Sequence, residues 1–196
     1  MGLIDSIIGA ESGGNPNAVN PRSSASGPGQ FIDDTFLDVV RKARPDLAGK
    51  SDAELLALKT DPVIGRQVTE AYASQNGAIL SKNGLPVTDG NVYLSHFAGP
   101  GGAVKVLQAD PTAPVESLLG AAAVKANPFL RGMTAGDLQA WAAKKVGGST
   151  PQPQAPQAPF EPPAPMEAAP IFFPPKRPID LSKLRAAFQA PAFPRG

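Results

Sequence analysis

The sequence predicts a predominantly α domain followed by a Pro-rich extended tail, and three observations carry that expectation. Apolar residues recur at helical spacing over residues 3–146, and recognisable caps and stops punctuate those stretches. The prolines are divided unevenly: ten precede Gly148 and thirteen follow it. A domain is therefore expected over residues 1–147 and a tail over 148–196, the latter too poor in apolar surface to fold alone.

The first helix is expected over residues 3–12, with Ile4, Ile7, Ile8 and Glu11 sharing one face at i, i+3, i+4 and i+7. Residues 13–30 are dense in Gly, Asn, Pro and Ser, which predicts a long loop. Loops of that length inside a small domain are often functional. Asp33 or Asp34 is expected to cap the next helix, which runs to Ala43 and stops before Pro45. Ser51-Asp52-Ala53-Glu54 reads as a capping box for a short helix through Leu58. Asp61-Pro62 places a cap ahead of Pro at the first helical position. The longest helix follows, with Val68, Ala71, Tyr72, Ile79 and Leu80 inward and Gly84 as its stop. Further helices are expected near residues 91–97, after Pro100, near Glu116, and over 134–146. Only short strands fit in the loops between them.

The tail opens with prolines spaced by threes, Pro153, Pro156, Pro159, Pro162 and Pro165, a pattern that favours polyproline II. It then turns apolar at Ile171-Phe172-Phe173. Asp180 can cap a short amphipathic helix with Leu181, Leu184 and Phe188 at i, i+3 and i+7. A spacer does not need these apolar side chains, so residues 171–196 are expected to dock on a partner.

Composition removes several function classes. Eighteen basic against seventeen acidic residues leave a net charge of +1, which drives the chain onto neither nucleic acid nor an anionic membrane. The absence of Cys removes disulfides, thiolate zinc sites and a Cys nucleophile, and a single His removes His-rich metal sites. No apolar run reaches the roughly 18 residues of a membrane span. The N-terminus shows neither the basic region nor the apolar run of a secretory signal peptide.

The residue that stands out is Glu11. A carboxylate on the apolar face of a helix, at the entry to a Gly-rich loop, either meets water at a frayed end or is desolvated and rises in pKa. In the second case it is poised as a general acid.

Three motifs follow in order: Glu11-Ser12-Gly13-Gly14-Asn15-Pro16-Asn17-Ala18, Ser24-Ala25-Ser26-Gly27-Pro28-Gly29-Gln30-Phe31, and Tyr93-Leu94-Ser95-His96-Phe97-Ala98-Gly99-Pro100-Gly101. Together they resemble the soluble lytic transglycosylase family, a relative of goose-type lysozyme, over about residues 3–101. The resemblance implies a lysozyme-like helical domain that cleaves the MurNAc-β-1,4-GlcNAc bond of peptidoglycan without metal or cofactor. It implies that Glu11 is the catalytic acid and then the base, that Ser12 supports its helix end, and that Gln30, on the Gly27-Pro28-Gly29 loop, lies at the reacting subsite. The glycines, Gly29 among them, would let backbone approach the sugar.

The chemistry explains why one acid suffices. On the resemblance, Glu11 would protonate the glycosidic oxygen, the 2-acetamido oxygen of the sugar would stabilise the developing positive charge, and the ionised Glu11 would then take the O6 proton as a 1,6-anhydro ring closes. An inverting muramidase on the same fold instead needs a base about 6.5–9.5 Å from the acid. Asp33 and Asp34 are the acids close to the motif loop.

The sequence departs from the family at His96-Phe97, where Tyr-Asn is usual. The family Tyr steadies the catalytic Glu; His96 either does so through a ring N–H or contacts a helix-end carbonyl. Phe97 is expected to form an apolar wall, and Tyr93 and Tyr72 either to line the cleft or to belong to the core, where aromatics at helical spacing are more common. Only about ten residues precede Glu11, so a helix packing behind the catalytic one is expected to be missing. With no visible signal peptide, the expected setting is a bacteriophage virion, acting on the host cell wall during genome delivery. The tail would be held by a phage tail or internal virion protein. A structural, glycan-binding virion component is the alternative from another class.

Overall fold

The structure, a computed structural model, describes residues 2–147. The expected tail, including its polyproline stretch and the short helix from Asp180, lies outside the described residues. Among those described, the chain is predominantly helical: α1 (Leu3–Ser12), α2 (Asp33–Ala43), α3 (Asp52–Ala57), α4 (Pro62–Lys82), α5 (Asp89–Gln108), α6 (Val115–Leu119), α7 (Ala121–Ala126) and α8 (Ala135–Lys145). Single 3₁₀ turns lie at Pro45–Leu47, Leu58–Thr60 and Pro128–Leu130. No strand forms among the described residues; isolated bridges join Val19 to Ser26, Ser26 to Phe31 and Pro114 to Thr134. No described helix is long and apolar enough to cross a membrane.

Side-chain caps set the starts of four of the eight described α-helices. Ser51 and Glu54 form the expected capping box, each satisfying the other's backbone N–H. The Asp61 carboxylate accepts from the N–H groups of Val63 and Ile64, with Pro62 at the first helical position. Thr134 and Asp137 make a second capping box ahead of α8. The expectation for α2 needs correcting. Its N-cap is Ile32, in extended backbone and with no side-chain cap, so Asp33 and Asp34 fall inside the first turn. There their charge complements the helix dipole, and Asp33 is directed to Lys59 instead of to the helix N–H groups. The short helix α7 was not foreseen, because Ala121-Ala122-Ala123-Val124 carries no amphipathic period.

The helices expected near residues 91–97 and after Pro100 are two halves of α5. They meet at Gly99, whose φ of 71° and ψ of 155° break the helix. Pro100 then opens the second half, where its missing N–H costs nothing.

Two apolar clusters organise the packing. The larger gathers Ile7 from α1, Leu80 from α4, Leu94 and Val106 from α5, and Leu138 from α8, all fully buried. The smaller gathers Phe31, Phe36, Val40, Leu55 and Val68 from the loop, α2, α3 and the first half of α4. Helix α4 serves both, contributing Ile64 and Val68 to one and Ala73 and Leu80 to the other.

Candidate active site

A cleft of about 1000 Å³ opens between the loop of residues 13–30 and the kink of α5. Its walls include Glu11, Asn20, Arg22, Gln30, Thr35 and Tyr72, and on the other side His96, Phe97, Lys125 and Asn127. Of the residues singled out in the sequence, Glu11, Gln30, Tyr72, His96 and Phe97 line it. Ser12, Gly29 and Tyr93 do not, and each is occupied behind the wall. The Ser12 hydroxyl donates to the Ile8 carbonyl one turn back, at 3.0 Å, and so ties down the end of α1.

Glu11 sits on the last turn of α1, which Gly13 closes in the left-handed conformation. It is half-buried and faces the hydroxyl of Tyr93, a residue almost wholly buried on α5. Burial first, and then the charge of Glu11 and hydrogen bonding to it, hold the Tyr93 hydroxyl protonated well above its ordinary range. The phenol thus keeps its proton beside the carboxylate. One helical turn before His96, Tyr93 is the aromatic whose hydroxyl lies by Glu11.

His96 takes the other of its two expected roles. Its Nε2 lies 2.9 Å from the Gly29 carbonyl, which fixes the proton on that nitrogen, since a carbonyl only accepts. Nδ1 is buried without a partner. The ring sits among Phe31 at 5.1 Å, Tyr72 at 5.6 Å and Tyr93, stacked at 6.4 Å. Burial pushes its pKa below the ordinary value, against the smaller opposing effects of Glu11 and the Gly29 bond. His96 is therefore a neutral tether between α5 and the motif loop.

The loop itself is tightly specified. Gln30 has a φ of 48°, the only positive value outside glycine among the described residues. Its side-chain Nε2 donates to the carbonyls of Ala18, at 3.0 Å, and Gly27, at 2.9 Å. Both amide protons are thereby used, so toward the cleft Gln30 offers only an acceptor oxygen. Gly27 fits because it lacks a side chain: a Cβ there would lie 1.9 Å from the Lys59 carbonyl oxygen, and its φ is 79°.

A latch that sequence reasoning missed holds this loop from below. The Lys59 ammonium, 4% exposed, donates to the Ser24 carbonyl at 2.6 Å and to Asp33 Oδ1 at 2.7 Å. The Asp33 N–H in turn donates to the Ser24 hydroxyl at 3.2 Å. Nothing local marks Lys59, because its partners lie 26 and 35 residues away. The other unforeseen wall residues, Asn20, Arg22, Lys125 and Asn127, are polar loop and helix-end side chains that no spacing rule singles out.

No protein-family model and no curated protein matches the chain.

Proposed function

We propose that the domain is a lysozyme-like lytic transglycosylase that cleaves the MurNAc-β-1,4-GlcNAc bond of peptidoglycan. The observation that carries this reading is that Glu11 is the single carboxylate lining the cleft among the described residues, and that it faces a donor, Tyr93, that stays protonated. An acid that must first give a proton and then take one needs a partner that stabilises its ionised stage without competing for the proton. A buried tyrosine hydroxyl meets that need.

Glu11 protonates the glycosidic oxygen, and the leaving sugar departs. The 2-acetamido oxygen of the muramic residue stabilises the positive charge at its anomeric carbon, and the Gln30 acceptor oxygen lies in the same wall. The ionised Glu11 then removes the O6 proton, and O6 closes onto the anomeric carbon to give the 1,6-anhydro product. The hydrolytic alternative needs a second carboxylate to activate water. Of the two acids near the loop in sequence, Asp33 is paired with Lys59 and Asp34 does not line the cleft. We further propose a virion setting, with the Pro-rich residues 148–196 as the tether. The composition of that segment supports it.

Mass spectrometry of muropeptides released from purified peptidoglycan, with Glu11→Gln beside the parent, tests the reading. Products ending in 1,6-anhydro-muramic acid, absent with the variant, are expected. Reducing-end products one water heavier would make the protein a muramidase. No products from a folded parent would make it a glycan-binding or structural component.

A further inference from the structure

The charge along the cleft is one-sided. Among the described wall residues Glu11 is the single carboxylate, whereas Arg22 and Lys125 supply two cations. Both are exposed, and neither has a described acid within 4.0 Å. A smaller pocket of about 210 Å³ continues the cleft past Phe97, Ala98 and Asn127, and adds Lys105 with no acid. Three cations thus face one carboxylate along the groove, in a chain whose net charge is only +1. Outside the groove, Arg41, Lys42, Arg44 and Lys50 are each matched to an acid, whereas Lys82, Arg131, Lys144 and Lys145 have no described acid within 4.0 Å; what sets the groove apart is three such cations lining it with a single carboxylate.

Resting on the reading above, we propose that Arg22, Lys105 and Lys125 bind carboxylates on the peptide branches of the glycan, so that the preferred substrate is a strand still carrying its acidic stems. The sugar backbone is accommodated on the floor, by groups such as Gln30, Phe97 and Asn127. The cations stand at the exposed margin, where substituents that project from the strand would pass. Unpaired cations along a groove also raise the encounter rate with an anionic polymer, an effect that salt suppresses. Each exposed pair is worth about two- to fivefold in affinity, and three together roughly tenfold or more.

The test measures co-sedimentation of the full chain with three glycans, in a Glu11→Gln background so that turnover does not consume them. The glycans are intact sacculi, sacculi whose carboxylates have been amidated with carbodiimide, and strands stripped of their peptides by an amidase. Adding Arg22→Gln, Lys105→Gln and Lys125→Gln together is expected to weaken binding to intact sacculi at least tenfold at low salt. Binding to the other two should change less than twofold, and the urea midpoint should not move, because all three side chains act at the surface. Equal weakening on all three glycans, or none on intact sacculi, overturns the proposal. Weakening shared by intact and stripped strands moves the contact to the lactyl carboxylate and overturns the peptide assignment. If the parent binds sacculi in this charge-dependent way but releases no muropeptides, the enzymatic reading fails and this one stands. If the parent releases anhydro-muropeptides and the triple variant binds normally, this one alone fails.

Discussion

Asp33→Ala is expected to destabilise the protein more than Lys59→Met, although Asp33 is the more exposed partner of the pair. The side chain of Lys59 is 4% exposed and that of Asp33 is 43% exposed. Removing Asp33 strands a buried ammonium with the Ser24 carbonyl as its remaining partner. Losing one partner of a fully buried pair costs about 3–5 kcal/mol. Partial solvation of Asp33 and the retained carbonyl bring this to the lower end, about 3 kcal/mol. Lys59→Met removes the buried charge itself. Asp33 then turns to water and Met fills the apolar space, so the loss is that of about one net hydrogen bond, ~1 kcal/mol. With a urea slope of about 2 kcal/mol/M, the midpoints should fall by about 1.5 M for Asp33→Ala and about 0.5 M for Lys59→Met. The double variant should lie close to Lys59→Met, because the carboxylate has little left to neutralise. Both single variants should speed amide exchange at Gly27 and Gln30, whose N–H groups donate to Ala18 and Gly27 within the latched loop. If Lys59→Met costs as much as Asp33→Ala, or if exchange in the loop is unchanged, the account of the latch is refuted.

Three other outcomes follow from the same geometry. Gly27→Ala combines a left-handed φ with a backbone clash at Lys59 and should cost at least 2 kcal/mol, about the sum of the strain and the overpacking; Gly49→Ala, with nothing within 4 Å, should cost under ~0.5 kcal/mol in the same urea titration. Tyr93→Phe should lower kcat on peptidoglycan about tenfold, the worth of one charge-assisted hydrogen bond, and leave KM within about twofold because the hydroxyl does not line the cleft. His96, with its folded pKa depressed, binds its proton more readily in the unfolded chain. Stability should therefore be retained above pH 6.5, fall as the pH drops through 6.5 toward the folded value, and level off below it, by at most about 1.4 kcal/mol per pH unit. Denaturant midpoints at pH 7.5 and 5 should show that slope, and His96→Phe should flatten it.

What the sequence disclosed and what it withheld divide along sequence distance. The capping boxes at Ser51 and Thr134 and the Asp61-Pro62 start are interactions over two or three residues, so they are written in the local string. The break in α5 was legible for the same reason, in Gly99-Pro100. The site was legible in part. Glu11, Gln30, His96 and Phe97 could be gathered because motif order brought them together. Asp33 was misjudged as a cap because the competing attraction comes from Lys59, 26 positions on. Position 96 was legible as one of two contacts, to Glu11 or to a carbonyl, and it meets the carbonyl of Gly29. In the helix, position 93 shares nearly the same face one turn earlier, and there the ring has the reach and Glu11 the proximity.

The division of the interior into two clusters has a mechanical consequence. Helix α4, 21 residues and about 30 Å long, is the beam on which both are mounted, and the cleft is the gap beside it. Midway along the beam the Asn76 side-chain amide is buried with neither its oxygen nor its nitrogen bonded, so a desolvated polar group sits between the two clusters. Across the gap the direct tether described is the single bond from His96 to Gly29. A polymer lying in the gap would act as a second tether, joining the loop of residues 13–30 to α5 and so the smaller cluster to the larger.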